Sequence, residues 1–235
     1  MDPAIDTFDY SKFHLQKGDW DCGPSCIILF HQYLLLTQNP DSPPPNLEDT
    51  YSFFDPCSQM IFTIDLFDYF ATKLTTHKVL FTTVELGFAE SHSQLDYYKN
   101  STSFQSRVKQ VFEKYKGDGR VAKESVELAR IVEFLSQKKG VLIVLIDSDK
   151  KATFPEDDEG TIEVVQRYIT TAFNRVFARE GHYAGHYALA VAADEKNIFY
   201  LNPSSRGMYK ISHKNFDYCR KARGTDEDLI FIYTS

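Results

Sequence analysis

Cys22 stands between Gln16-Lys-Gly-Asp-Trp-Asp and Gly23-Pro-Ser-Cys26, and the apolar run Ile27 to Leu36 follows at once. That order predicts a loop delivering a thiol to the first turn of a buried helix. The thiolate is the nucleophilic form of cysteine, and the partial positive charge at a helix N-terminus favours it. Gly23 lets another backbone approach closely, and Pro24 suits a first helical turn, where its missing N–H is no loss. Gln16, six residues before the thiol, can aim its amide at an oxyanion beside the sulfur. Such a set attacks carbonyl carbon, provided a base and an orienting group meet Cys22 in space.

Both candidates lie downstream. Gly185-His186-Tyr-Ala-Leu-Ala-Val-Ala-Ala193 reads as a strand with the histidine at its start. Asp194-Glu-Lys-Asn197 reads as a turn, and Ile198-Phe-Tyr-Leu201 as a second strand ending in Asn202-Pro203. A tight hairpin returns Asn202 beside His186, where it can hold the ring in one tautomer and leave the other nitrogen to face Cys22. The roles are then Gln16 oxyanion donor, Cys22 nucleophile, His186 base and Asn202 orienter, with a resting thiolate–imidazolium pair allowed.

Each of these residues has a plainer use. Cys22 alone reads as a buried structural thiol, Asn202 as a cap on the turn into Pro203, and an isolated glutamine carries no meaning; the spacing is what joins them. His182 precedes His186 by four residues, yet the glycines and the alternating run that follow describe a loop and strand, not one helix face that could grip a metal. His182 is therefore assigned to the groove entrance, with Gly23 and Gly185 lining the groove. Trp20 is a groove wall or a core residue, and Cys26, one turn after Cys22, is core or wall. Asp19 and Asp21 read as acids favoured by the helix dipole, and Asp226-Glu-Asp228 as a solvated turn.

The Gln-x5-Cys spacing, the Gly-His pair and the Asn-Pro pair resemble the papain-like superfamily, and Asp21-Cys-Gly-x-x-Cys26 is most similar to its C39-type branch. A closer resemblance covers roughly residues 14 to 234. Trp20-Asp-Cys-Gly23, Phe62-Thr-Ile-Asp-Leu66, Phe199-Tyr-Leu-Asn-Pro203 and Gly224-Thr-Asp-Glu-Asp-Leu-Ile-Phe-Ile-Tyr233 resemble the guanylyl cyclase domain-containing protein family. The superfamily resemblance implies a cysteine peptidase-like thiol hydrolase acting on a peptide or protein, through peptide, isopeptide or amide bonds, with no cofactor and no metal. The family name implies conversion of GTP to cyclic GMP. That chemistry needs divalent metal, triphosphate contacts and a guanine pocket, and the chain has no Gly-x4-Gly-Lys-Ser/Thr loop or basic cluster. A third reading is a binding module that keeps the fold without turnover.

These residues need elements to position them. The apolar stretch after Cys22 predicts a helix over 24–36, closed before the proline-rich 39–45. Further helices are predicted over 63–74 with a threonine cap, 104–115 closed by Gly117, 125–139 with a serine cap and stop glycine Gly140, 162–178, and near 215–222. Strands are predicted over 79–84, centrally over 141–146, over the two hairpin segments and over 229–233. Helices early and strands late suit an α+β, papain-like (C39-peptidase-like) fold. Its N-terminal helix carries the cysteine and packs on an antiparallel sheet carrying the histidine and asparagine. One domain over 1–235 is expected, with 1–13 an extension and 39–57 and 147–180 variable.

Composition sets the bounds. The 235 residues are 43% hydrophobic, with 19 Phe and 14 Tyr, enough for a sizeable aromatic core. A net charge of −7 without a Lys/Arg block excludes a nucleic-acid partner. The acidic start is no secretory signal, and no apolar run spans a membrane. Four cysteines do not make a disulfide framework, so a reduced cytoplasmic setting is expected.

Overall fold

Gly140-Val-Leu-Ile-Val-Leu-Ile-Asp147 offers no polar side chain to solvent until its last position, and strand β3 (Gly140–Asp147) is buried along its whole length. A strand of that kind needs cover on both faces. The structure, a computed structural model, describes residues 9–37, 46–57, 60–87, 102–151 and 183–234. Within them β3 is the middle of a seven-stranded sheet with β1 (Val79–Thr83), β2 (Val121–Lys123), β4 (Gly185–Ala193), β5 (Asn197–Asn202), β6 (Ser205–Ser212) and β7 (Leu229–Tyr233). The order is β2-β1-β7-β3-β4-β5-β6, antiparallel except for the β1–β2 pair.

Period-two alternation divides the core. Val141, Ile143 and Leu145 pack with the side chains of α1 (Cys22–Thr37) and α3 (Thr63–Lys73), joined there by Phe54 of α2 (Leu47–Phe54) and Val108 of α4 (Thr102–Lys114). Leu142, Val144 and Ile146 pack on the opposite face with α5 (Leu128–Ser136) and α7 (His213–Arg220). The class is mixed α and β, with helices on both faces. A short α6 (Ser148–Lys151) follows β3 directly. All four cysteines are buried free thiols. No helix among the described residues is long and apolar enough to cross a membrane.

Several local readings need correction. Ser125 does not cap α5; its hydroxyl donates to Glu227 Oε2 at 2.6 Å, and Glu127 takes the cap position. Nor does Gly140 stop that helix. Lys138 does so at φ 52°, where Lys139 N donates to Phe134 O and Lys138 N to Leu135 O, the paired bonds of a left-handed helix end. Thr63 is likewise inside α3, where Phe62 takes the cap position and its N–H donates to Asp65. The supposedly irregular 39–57 contains α2, whose cap Asn46 accepts from the N–H groups of Glu48 and Asp49. Strands β2 and β6 were not legible, because neither carries a clean apolar alternation. The helix expected over 162–178 lies outside the described residues.

Candidate active site

The loop before α1 is organised by a buried carboxylate. Asp21 has no exposed surface, and it accepts from Lys17 N at 2.9 Å, Gly18 N at 2.9 Å and Tyr51 Oη at 2.7 Å. Asp21 is thus a structural anchor, not simply an acid favoured by the helix dipole. Tyr51 reaches it from α2, and burial followed by the neighbouring carboxylate holds that phenol well above its ordinary range. The anchored loop presents Gln16, whose backbone N–H donates to Pro203 O at 2.8 Å. Its Nε2 donates to Gly18 O at 2.8 Å, and its Oε1 accepts from Ser204 Oγ at 2.9 Å. A carbonyl only accepts, so the amide nitrogen must face Gly18. One of its two N–H groups is engaged there.

The hairpin forms around a turn in which Asp194 Oδ1 accepts from Lys196 N and Asn197 N. Leu189 pairs with Leu201, which returns Asn202 towards the start of β4. His186 Nε2 lies 2.9 Å from Asn202 Oδ1, and the same oxygen accepts from Ser204 N at 2.9 Å. Ser204 N–H can only donate, so the asparagine atom facing both is the oxygen. Nε2 of His186 then carries the proton, and Nδ1 of the neutral ring carries the lone pair.

Cys22 is 6% exposed at the start of α1. The backbone groups of Tyr187, Gly23 and Cys22 itself hydrogen-bond to its sulfur, so the thiol meets β4 at the residue after His186. Burial raises the thiol pKa above its ordinary value, with the Asp21 charge adding to the rise and the backbone bonds opposing it. Helix position therefore loses to desolvation, which favours the thiol over the thiolate–imidazolium pair that the sequence allowed. Gly23 is small for side chains, not for another backbone: a Cβ there would lie 2.9 Å from Leu66 Cδ2 and 3.2 Å from Tyr187 Cδ2.

A cleft open in part to bulk water runs past Cys22. Trp20 lines it while also packing on the core, so both uses assigned to that residue hold. Gly185 lines it too, where a Cβ would meet Tyr183 Oη at 2.5 Å. Thr63 Oγ1 and Tyr187 Oη are 2.9 Å apart on its wall. Cys26 is fully buried and is core. His182 lies outside the described residues.

The same cleft is lined by Glu85, Asp226 and Asp228, which corrects the reading of 226–228 as a solvated turn. Asp228 is partly exposed as a residue, yet its Oδ1 has neither solvent contact nor a hydrogen-bond partner. Burial, then Asp226, pushes its carboxyl up to about 8, against the opposing hydroxyls of Thr63 and Thr83. Burial and Glu85 push Asp226 up to about 7. Glu227 between them turns to the other side and accepts from Ser125 and Arg220. Spacing could not reveal this wall, because its acids come from the end of β1 and the approach to β7. Tyr51 was equally hidden; the Asn46-Leu-Glu-Asp cap before it was the available signal.

Residues 12–232 match the model of a family described as guanylylate cyclase. The chain is also similar to "Guanylyl cyclase 1" of Arabidopsis thaliana, 26% identical over 236 residues that cover 98% of this chain and 77% of that protein. No solved structure matches. These findings overturn the class names hydrolase and thiol protease drawn from the sequence, since the family and the relative are both named for guanylyl cyclase.

Proposed function

The chain belongs to the guanylylate cyclase family, a family named for an enzyme, and from that premise we propose an enzyme whose reaction runs through the Cys22 thiol in a papain-like arrangement. The observation that carries this reading is the bond from His186 Nε2–H to Asn202 Oδ1, which makes Nδ1 the basic nitrogen at the residue adjoining Tyr187, whose backbone meets the sulfur. His186 Nδ1 takes the Sγ proton as sulfur bonds to a carbonyl carbon. The carbonyl π-electrons move onto oxygen, which the free Gln16 N–H and the Cys22 backbone N–H receive. The oxyanion collapses, the bond to the leaving group breaks, and the imidazolium returns its proton to that group. An O–H or N–H acceptor then attacks the thioester, its proton passes to His186, and the departing sulfur takes that proton back. The raised thiol pKa makes deprotonation concerted with attack, so the base is required.

The cyclase reading has the family name and four cleft carboxylates in its favour. The residues present do not fit the metal it implies. Among the described residues no three His, Cys, Asp or Glu side chains converge to hold a cation, and Asp226 and Asp228 retain protons near neutrality. Among the described residues the cleft lining also contains no Lys or Arg to meet a triphosphate.

The test is the rate at which uncharged iodoacetamide modifies each cysteine, followed by mass spectrometry from pH 6 to 9. Cys22 is expected to react selectively, and His186→Ala to slow it by about 10²-fold or more. Equal Cys22 rates in both proteins across that range would overturn the reading.

A further inference from the structure

We infer that the cleft beside Cys22 binds a cationic organic group, an ammonium or guanidinium on an apolar stem, against Asp226 and Asp228. The substrate of the thiol would then carry positive charge near its reacting carbonyl. This rests on the reading of Cys22 as nucleophile only for what the cation is attached to.

Among the described residues, every Asp, Glu, Lys or Arg side chain lining the cleft is acidic: Asp19, Glu85, Asp226 and Asp228. Glu85 is partly compensated by Lys123 at 3.5 Å, outside the lining. The nearby Arg220 is directed to Glu227 and Asp217 instead. Asp228 supplies the independent observation: the hydroxyls of Thr63 and Thr83 bond its carboxyl, yet its Oδ1 is enclosed with no donor within hydrogen-bond distance. Buried acceptors in native proteins are nearly always partnered, and an exception asks for an explanation. A bound N–H donor supplies the missing partner. Trp20, Phe62 and Tyr183 line the same cleft, and aromatic faces attract cations while their edges accommodate an alkyl stem. A bare metal ion is the poorer match, since among the described residues no set of three donors converges. An anion would meet four acids.

The protonation states fit a displaced proton. Burial raises the carboxyls of both Asp226 and Asp228, with the Glu85 charge adding to the first and the Asp226 charge to the second. An arriving cation favours the carboxylate and expels a proton. Binding therefore strengthens as pH rises, with Asp19, Glu85, Cys22, Tyr183 and Tyr187 the other titratable groups facing the cleft among the described residues.

The experiment is calorimetric titration of butylammonium and butylguanidinium, with n-butanol as the neutral control, into the full chain at pH 6 and pH 9. Both cations should bind, butanol should not, and affinity should rise at least tenfold between the two pH values. Asp228→Asn should lose at least tenfold at pH 9; should it not fold, Asp226→Asn carries the same test. Cys22→Ala should bind the cations as wild type does. Cation binding retained in a protein whose Cys22 fails the iodoacetamide test still supports the subsite while overturning the thiol reading. Cations binding no better than butanol, or unchanged binding in a folded acid variant, would overturn the inference.

Discussion

The thiol end of the cleft and its acidic wall are built on opposite terms. At the thiol end the polar groups are anchored: Asp21 takes three donors, Asn202 Oδ1 takes two, and Gln16 is held at its backbone N–H, its Nε2 and its Oε1. Along the acidic wall, Asp228 Oδ1 is enclosed without a partner. A satisfied network fixes geometry before a substrate arrives, as attack on a carbonyl requires. An unsatisfied buried acceptor instead stores a binding opportunity at a cost in stability. The two ends are therefore separable, one serving reactivity and the other recognition.

The largest effect should come from breaking what holds the wall. Arg220 is fully buried behind it, donating to Val126 O at 2.7 Å, to Asp217 and to Glu227, while its own carbonyl accepts from Thr225 Oγ1. Arg220→Ala leaves Asp217 only Lys221 and Glu227 only Ser125, takes the donor from Val126 O and opens a cavity, and should cost about 3–5 kcal/mol in urea unfolding. Cation binding should fall with it, while iodoacetamide modification of Cys22 below the unfolding transition should keep its wild-type rate. A slowed Cys22 reaction in the folded variant would mean the two ends are one unit.

The reciprocal break is Tyr51→Phe. It removes one donor from the charged Asp21 carboxylate and leaves the ring in place. A hydrogen bond to a charged group is worth about 1.5–3 kcal/mol, so a loss near the lower end is expected from this half-buried pair. Here the Cys22 rate should drop as the Gln16 loop loosens, and butylguanidinium affinity should stay within twofold. Calorimetry and alkylation on the same preparation read both arms.

What the sequence disclosed follows the same division. The placement of Cys22 at the start of α1 and the His186–Asn202 pairing were legible because a loop-to-helix junction and a short hairpin constrain where side chains can meet. The apolar run of β3 announced a central strand for a similar local reason. The acids at 85, 226 and 228 were hidden because they meet through the β1–β7 pairing, and a run of Asp-Glu-Asp reads as solvated until its cover is known. Tyr51 was hidden by a neighbouring proline-rich stretch that masked a short capped helix. The pKa of Cys22 was misjudged for a general reason: helix position is visible in sequence, whereas desolvation belongs to the packed state.

The smallest effect is the most specific to the wall. Asp228 has a folded pKa of about 8, raised above its ordinary 3.8 by burial. The folded state therefore binds this proton more tightly than the unfolded chain. The resulting stabilisation is full below the unfolded value and is lost as pH rises through about 8. Asparagine mimics the protonated carboxyl in shape and does not titrate. Asp228→Asn should accordingly unfold near the wild-type temperature at about pH 4 and gain on it progressively as pH rises towards about 8, a trend read from melting temperatures at pH 4, 6 and 9. Adding saturating butylguanidinium at pH 9 should reverse the ranking, because only wild type then has a carboxylate to pair with it. A melting difference independent of pH would mean that Asp228 is satisfied in the folded protein, and the contrast between the two ends of the cleft would disappear.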